Sequence, residues 1–373
     1  MRIGFDAKRI FQNQSGLGNY SRDLVEIMAN DHDDFDIHLY SPKRTNKQDL
    51  NKFNSQKNIS IKKPSSFLAK LFPFLWRTFM LTKQARKENI EIFHGLSNEL
   101  PLGLKRNGIK SVVTIHDLIF LRFPKQYKTI DRMIYRLKSK HACKNADKII
   151  AISEQTKKDI IDFYGIHPEK IQVIYQSCHR IFKKQANDDI KNKVKEKHKL
   201  PSKFLLYVGS INERKNLLTI LKTLLQLPSH RLVVVGKGKH YKKKCESYIK
   251  KHHLESQVLF LNIKETEDLA AIYQMANIMI YPSIFEGFGI PILEALYSKI
   301  PVITSEGGCF PEAGGPNSMY IDPNNEQQLK ESILKIENNT NLRQEMILKG
   351  YSHAQQFSEA SISEKITHLY KNL

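Results

Sequence analysis

At 373 residues and 40% hydrophobic composition, the chain is longer than one ordinary hydrophobic core serves and suits two domains of usual size. A formal net charge of +21 attracts polyanions (nucleic acid, anionic lipid, phosphorylated substrates), but charge alone does not choose among these, and lysine-rich solubilising loops account for it as well. No stretch approaches the roughly 18 uncharged apolar residues of a spanning helix, and no CxxC pair suggests a zinc site or a disulfide framework.

In chain order, the opening Met1-Arg2-Ile3-Gly4-Phe5 reads as a strand rather than a signal peptide, so the expectation is a protein neither secreted nor integral. Short apolar runs at 2–5, 35–40, 91–93, 111–115, 148–152 and 171–174 read as strands. Helical spacing covers 18–29, 74–87, 130–142 and 154–163 between them, and Ser153 is a plausible N-cap for the last. Apolar content then collapses from Phe182 to Ser202 while lysines crowd in, the signature of an exposed linker. Strands resume at 204–208, 232–235, 258–261, 278–281 and 302–304. This alternation predicts two doubly wound, Rossmann-like α/β domains, 1–180 and 203–360, joined by a linker at 181–202. Tandem domains of that kind place a ligand crevice between them, beyond the carboxyl ends of the strands. Cys143, Cys178, Cys245 and Cys309 are expected as reduced, buried thiols.

The segment Pro282–Leu296 carries the most chemistry. It follows an apolar strand, turns through Gly287 and Gly289, and opens a helix with Pro291 at an early position. Such a helix start suits a phosphate or sugar oxygen. Glu286 before the helix and Glu294 on it, eight positions later, are placed to bind vicinal hydroxyls at different depths of one cleft; standing alone, they read equally as a cap and a solvated surface residue. Arg214 and Lys215 follow the first strand of the second half, where a fixed fork and a point charge suit a diphosphate, or simply a solvated helix start. Gly16 and Gly18 form a loop between the first strand and a helix; a simple turn is the commoner explanation of such a pair. His116 and Asp117 end an apolar strand and are expected to point into the crevice, although a satisfied core histidine is the usual alternative.

Two further segments need a reading. The D-x-D spacings of Asp31–Asp36 fall where a helix should end and a strand begin, and read as a solvated turn rather than a metal site. Residues 67–87 hold the only tryptophan, Trp76, with many aromatics, leucines and basic residues; Leu68, Leu71, Phe72, Leu75 and Phe79 share one helical stripe, with Pro73 starting or kinking the helix. The segment reads either as a sheet-covering helix with a basic outer face or as an interfacial helix among acidic lipid headgroups.

EGFGIPILE, residues 286–294, resembles the E-x7-E signature of the retaining glycosyltransferases of family 4, which have the GT-B fold. GLGNY (16–20), TIHDL (114–118), AISEQTKKDI (151–160), YVGSINERKNL (207–217), VVVGKG (233–238) and PEAGG (311–315) match in the same order, so the resemblance covers nearly the whole chain. It implies that Glu286 contacts hydroxyls of the transferred sugar and Glu294 the ribose hydroxyls of a nucleotide. Amides at Phe288 and Gly289 would meet the sugar or diphosphate, Arg214 and Lys215 the diphosphate, and His116 the donor sugar near the reacting centre. Ser210 departs from the pattern, standing where many members carry another arginine. The last helix, 361–373, is expected to return to the first domain.

The resulting expectation is a metal-independent, cofactor-free hexosyltransferase that retains anomeric configuration. It would use a nucleotide-diphosphate sugar and a saccharide or polyprenyl-linked acceptor in cell-surface polysaccharide synthesis. The expected location is the cytoplasm, peripheral on the anionic inner face of the cell membrane, with no nucleic-acid partner. The rivals are a nucleotide-sugar epimerase of the same fold, which should show a different carboxylate set, a phosphorylase, whose cofactor lysine motif is not found, and a non-enzymatic polyanion binder, which leaves the glycine turns and ordered acidic residues unexplained.

Overall fold

A computed structural model of the protein describes residues 1–13, 16–42, 53, 56–64 and 66–373, with only the backbone for 67 and 68. Runs such as Leu-Val-Val-Val at 232–235 are buried at every position, as strands covered on both faces by helices must be. Among the described residues these runs form two wholly parallel sheets. In the first, β1 (Arg2–Asp6), β2 (Asp36–Tyr40), β3 (Ile59–Lys62), β4 (Ile92–Gly95), β5 (Lys110–Ile115), β6 (Lys148–Ala151) and β7 (Ile171–Val173) lie in the order β3-β2-β1-β4-β5-β6-β7. In the second, β8 (Leu205–Val208), β9 (Leu232–Val235), β10 (Val258–Leu261), β11 (Ile278–Tyr281), β12 (Val302–Ser305) and β13 (Met319–Ile321) lie in the order β10-β9-β8-β11-β12-β13. Strand order reverses between β1 and β4 and between β8 and β11, the positions at which open parallel sheets bind ligands. The edge strands β3 and β13 escape the sequence reading because each is half-exposed and lacks a continuous apolar run.

The chain divides into two compact units, Met1–Ser177 with Glu359–Leu373, and Cys178–Ser358. The segment expected as an exposed linker is instead structured. Asn187 caps the helix Asp188–His198 by accepting from the Ile190 amide, Val194 is buried, and Lys197 and His198 each lie 2.7 Å from Asp268 on the helix Thr266–Met275. Its low apolar content reflects a helix with one narrow inward stripe and a lysine-covered outer face. The second unit therefore begins at residue 178, before that helix, rather than after 202. The last helix, Glu359–Lys371, belongs to the first unit, where Ile362, Ile366, Leu369 and Tyr370 join the core around Ile3, Phe5, Leu24 and Val25.

Ser153 caps the helix Glu154–Tyr164 as expected, its hydroxyl accepting from the Thr156 amide, and left-handed Gly165 ends it. Asp31–Asp36 spans a helix end, a turn and the start of β2. The four cysteines are free and buried. Among the described residues, no helix is long and apolar enough to cross a membrane.

Residues 67–87 do not form one amphipathic helix. Short helices Phe67–Leu71 and Pro73–Leu75 lead into a π-turn, Trp76–Met80, and then the helix Leu81–Lys87. Trp76 is buried, and its indole N–H donates to Gln84 at 3.0 Å, so it is a core residue and no interfacial anchor. The wider π-turn carries Arg77 inward with it, onto Asp6 and Glu99 at 2.6 and 2.7 Å. Leu71, Phe72, Leu75 and Phe79 remain exposed; the side chain of Leu68 lies outside the described residues.

Candidate functional site

Two loops meet at the switch point of the second sheet. After β8, Asn212 caps a 3₁₀ turn, Glu213–Lys215, its side chain accepting from the Lys215 amide at 3.1 Å, and Asn216 at φ 53° starts the helix Leu217–Leu224. After β11, the Ile284 amide donates to the Arg214 carbonyl at 2.8 Å and stitches the loops together. Ser305 donates to the Ser283 carbonyl at 2.6 Å, and the Cys309 thiol to the Glu286 carbonyl at 3.3 Å, fixing the second loop from the β12 side.

These loops bring Arg214, Lys215 and Glu286 into one cluster. Glu286 Oε1 lies 2.6 Å from Arg214 Nη1 and 2.7 Å from Lys215 Nζ. Lys215 also donates to the Tyr281 hydroxyl, and Arg214 to the Phe285 carbonyl. Lys215 and Glu286 are only 8% and 9% exposed. Burial opposes ionisation of Glu286, yet the Lys215 and Arg214 charges outweigh it and hold the carboxyl below its usual range. Burial lowers the Lys215 pKa, with Glu286 opposing. Arg214 and Lys215 thus bring two cations onto one carboxylate oxygen in a mostly buried place.

The helix Ile290–Tyr297 begins next to this cluster without a side-chain cap. Gly289 at its start has φ 115°, and an added Cβ would come within 3.1 Å of Ile292 Cδ1, so glycine is required there. Glu294 does not join the triad; its Oε2 accepts from the Tyr273 hydroxyl at 2.7 Å. Phe288 buries its ring against Phe357, 5.4 Å between centroids. The Ser210 hydroxyl oxygen accepts from the Asn212 side-chain nitrogen Nδ2 at 3.0 Å. Tyr281 and Tyr273 were missed from sequence: the only signal was a phenol ending β11, and none existed for a helix tyrosine.

In the first unit, His116 follows β5 and is 4% exposed. Its Nε2 lies 2.8 Å from the Leu96 carbonyl and its Nδ1 3.0 Å from the Gln176 side-chain nitrogen. That network assigns a neutral ring donating from Nε2 and accepting at Nδ1. Burial pushes its pKa down to about 4. Tyr20 packs edge-on, 4.6 Å from its ring, and bonds Thr114, which is 2.8 Å from His94; His94 in turn lies 2.6 Å from the Tyr370 hydroxyl. Gln176, the partner that sets the His116 tautomer, carried no sequence signal. Asp117 accepts from the Ile119 amide at 3.1 Å, the bond of a local turn. Gly16 and Gly18 lie not in a loop but in the first turn of the helix Gly16–Asp31. An added Cβ at Gly18 would sit 1.8 Å from the Asn13 carbonyl oxygen, whereas Gly16 has open space. Close packing therefore explains Gly18. Among the described residues, no group of three or more His, Cys, Asp or Glu is placed to hold a metal ion.

Two family models match in tandem: Glycosyltransferase Family 4 over residues 14–177, and Glycosyl transferases group 1 over residues 188–353. The chain is 26% identical to O-antigen chain mannosyltransferase B of Escherichia coli, covering all of both chains. It is 29% identical to the O-antigen chain mannosyltransferase RfbU of Salmonella typhimurium over 60% of each. Among solved structures, HepE from Anabaena, in complex with UDP and glucose, superposes with a TM-score of 0.78 at 18% identity over both full chains. WaaG, a glycosyltransferase involved in lipopolysaccharide biosynthesis, superposes with a TM-score of 0.69 at 18% identity over 99% of each. With this GT-B architecture and both family models matched in order, the chain belongs to the family 4, or group 1, glycosyltransferases.

Proposed function

We propose that the chain moves a hexose of the mannose type from a nucleotide-diphosphate sugar to a lipid-linked saccharide during cell-surface polysaccharide synthesis, with retention of configuration. The observation that carries this reading is the buried Arg214–Glu286–Lys215 cluster, two cations beside the glycine turn, at the β8/β11 switch point. The fork of Arg214 and the point charge of Lys215 suit diphosphate oxygens. Relatives named as O-antigen mannosyltransferases support the sugar and the product class, and the UDP and glucose in HepE support the donor class.

When the donor binds, Arg214 and Lys215 turn from Glu286 to the diphosphate oxygens, and Glu286 is released to accept from hydroxyls of the hexose. Glu294 exchanges Tyr273 for the ribose hydroxyls, while the backbone at Gly287, Phe288 and Gly289 meets the sugar and diphosphate. The acceptor oxygen bonds to the anomeric carbon on the face from which the phosphate oxygen departs, which preserves the anomer. The breaking bond leaves its electron pair on that oxygen, where the two cations stabilise it, and the acceptor's hydroxyl proton passes to the departing diphosphate. No carboxylate nucleophile is assigned, and the basic pair supplies the charge that a divalent cation supplies in other enzymes. A sugar hydroxyl reaches the His116 ring nitrogens only by displacing Gln176 or the Leu96 carbonyl.

The test is thermal denaturation against a panel of nucleosides, nucleoside diphosphates and nucleotide sugars, followed by transfer of labelled sugar from the best ligand to a lipid extract. A ligand at about 100 times its Kd adds ~2.7 kcal/mol of stability. The expected result is stabilisation by one diphosphate and its hexose ester, with label recovered in the lipid fraction as the retained anomer. Stabilisation by none of them, with no label transferred, overturns the reading; an inverted product overturns retention.

A further inference from the structure

Two elements of the first unit turn large apolar side chains to solvent. Leu71, Phe72, Phe74, Leu75, Phe79 and Met80 are exposed in the broken helical stretch that begins the 67–87 segment. On the helix Thr129–Asn145, Ile130, Met133, Ile134 and Leu137 fall at i, i+3, i+4 and i+7, which is one helical face. A helix ordinarily buries such a stripe against the core. Here it points outward, with Ile130 69% and Leu137 63% exposed, while Ser139, Ala142 and Cys143 face the interior.

The two elements adjoin. Lys138 Nζ sits 5.0 Å from the centre of the Phe74 ring, and Phe74 and Leu137 line the same cavity of about 200 Å³. Phe79 lines a second cavity with Lys83, Lys105, Arg106 and His141, which ties the apolar centre to a basic edge. Arg132, Arg136 and Lys140, at i, i+4 and i+8, form a second basic row on the other flank of the helix's apolar stripe. Residues 67–87 contain no acidic side chain, and the helix contains one, Asp131. A second copy of the chain would set one basic edge against another, at a cost in repulsion. An anionic bilayer meets both features, accepting the aromatics at the headgroup boundary and the lysines and arginines at lipid phosphates.

We propose that this two-element face, the 71–80 stretch together with the Ile130/Met133/Ile134/Leu137 stripe, docks on an anionic membrane surface. It differs from a single interfacial helix: Trp76 is excluded because it is buried, and a second helix supplies Ile130, Met133, Ile134 and Leu137 beside the six apolar side chains of 71–80. The inference stands apart from the transfer reading, since it rests on no donor-site residue.

The test is sedimentation of the full chain with phosphatidylglycerol/phosphatidylethanolamine vesicles and with phosphatidylcholine vesicles. The parent is expected to bind the first at least about tenfold more tightly and to be released by high salt. The pairs Phe72→Ser with Phe79→Ser, and Ile130→Ser with Leu137→Ser, are each expected to weaken binding about tenfold or more, through lost apolar insertion. Hydrogen exchange on the unaltered chain needs no variant: vesicles are expected to protect both 71–80 and 129–140. Absence of anionic-vesicle binding, binding indifferent to either pair in a folded variant, or protection of only one segment overturns the proposal. A dimer that the same substitutions disperse, without vesicle binding, assigns the face to a second copy instead.

Discussion

Glu286→Gln removes the carboxylate from a cluster in which two cations lie within 2.7 Å of the same oxygen. Removing one partner of a buried pair costs ~3–5 kcal/mol. Glutamine keeps the shape, and its carbonyl can accept one charge-assisted hydrogen bond, returning ~1.5–3 kcal/mol. The difference is a loss of about 2 kcal/mol, or roughly 4–8 °C in Tm at ~2–4 °C per kcal/mol for domains of this size. Without that carboxylate competing for them, Arg214 and Lys215 should then hold a nucleoside diphosphate more firmly, so the ligand should raise the Tm of the variant more than that of the parent. Turnover should move the other way. Losing a hydroxyl contact that tightens in the transition state costs ~2–4 kcal/mol, about 30-fold to 1000-fold. Scanning fluorimetry with and without nucleoside diphosphate, beside single-turnover transfer of labelled donor, reads all three quantities. A variant that melts, binds and turns over like the parent would refute the cluster's role; a ligand shift that shrinks would mean that the cations do not face phosphate.

Arg214→Ala with Lys215→Ala should weaken a nucleoside diphosphate about 100-fold or more, at ~1.5–3 kcal/mol per charged contact, and the free nucleoside little; equal losses in calorimetry on a folded variant would exclude the phosphate role. Burial pushes the His116 pKa down to about 4 and the His94 pKa down to about 3, so both rings are neutral in the folded protein. Because these folded pKa values lie below the unfolded value of ~6.5, stability is complete above that pH and falls as pH drops toward 4, by up to ~2.7 kcal/mol per pH unit with both rings titrating. Urea denaturation between about pH 7 and 5 should show this slope, and His94→Gln should flatten it; a flat parent curve would contradict neutral burial. Glu286 adds its own loss only at lower pH, since its folded pKa is depressed below the usual carboxylate range. Transfer should persist in excess EDTA, and full loss restored by magnesium or manganese would show that the basic pair does not replace a cation.

The β/α alternation and the strands of both sheet interiors were legible in the sequence, because a strand buried on both faces must be a continuous apolar run, as at Leu232–Val235 and Ile278–Tyr281. So was the E-x7-E segment, since a glycine turn at the end of such a strand leaves few local conformations. Tertiary structure alone decided which partners those side chains take. Arg214 and Lys215 are distant in sequence from Glu286, and only the pairing of β8 beside β11 puts all three in one place and makes the carboxylate the cations' partner. The same holds for His116, whose two ring partners, Leu96 and Gln176, come from other parts of the chain. Periodicity could show that 130–142 has an apolar helical stripe, but not that the stripe faces solvent. Nor could it show that a π-turn rotates Trp76 inward while leaving Phe79 out. Period is a property of the local chain, whereas the inward direction is set by what the rest of the fold already covers.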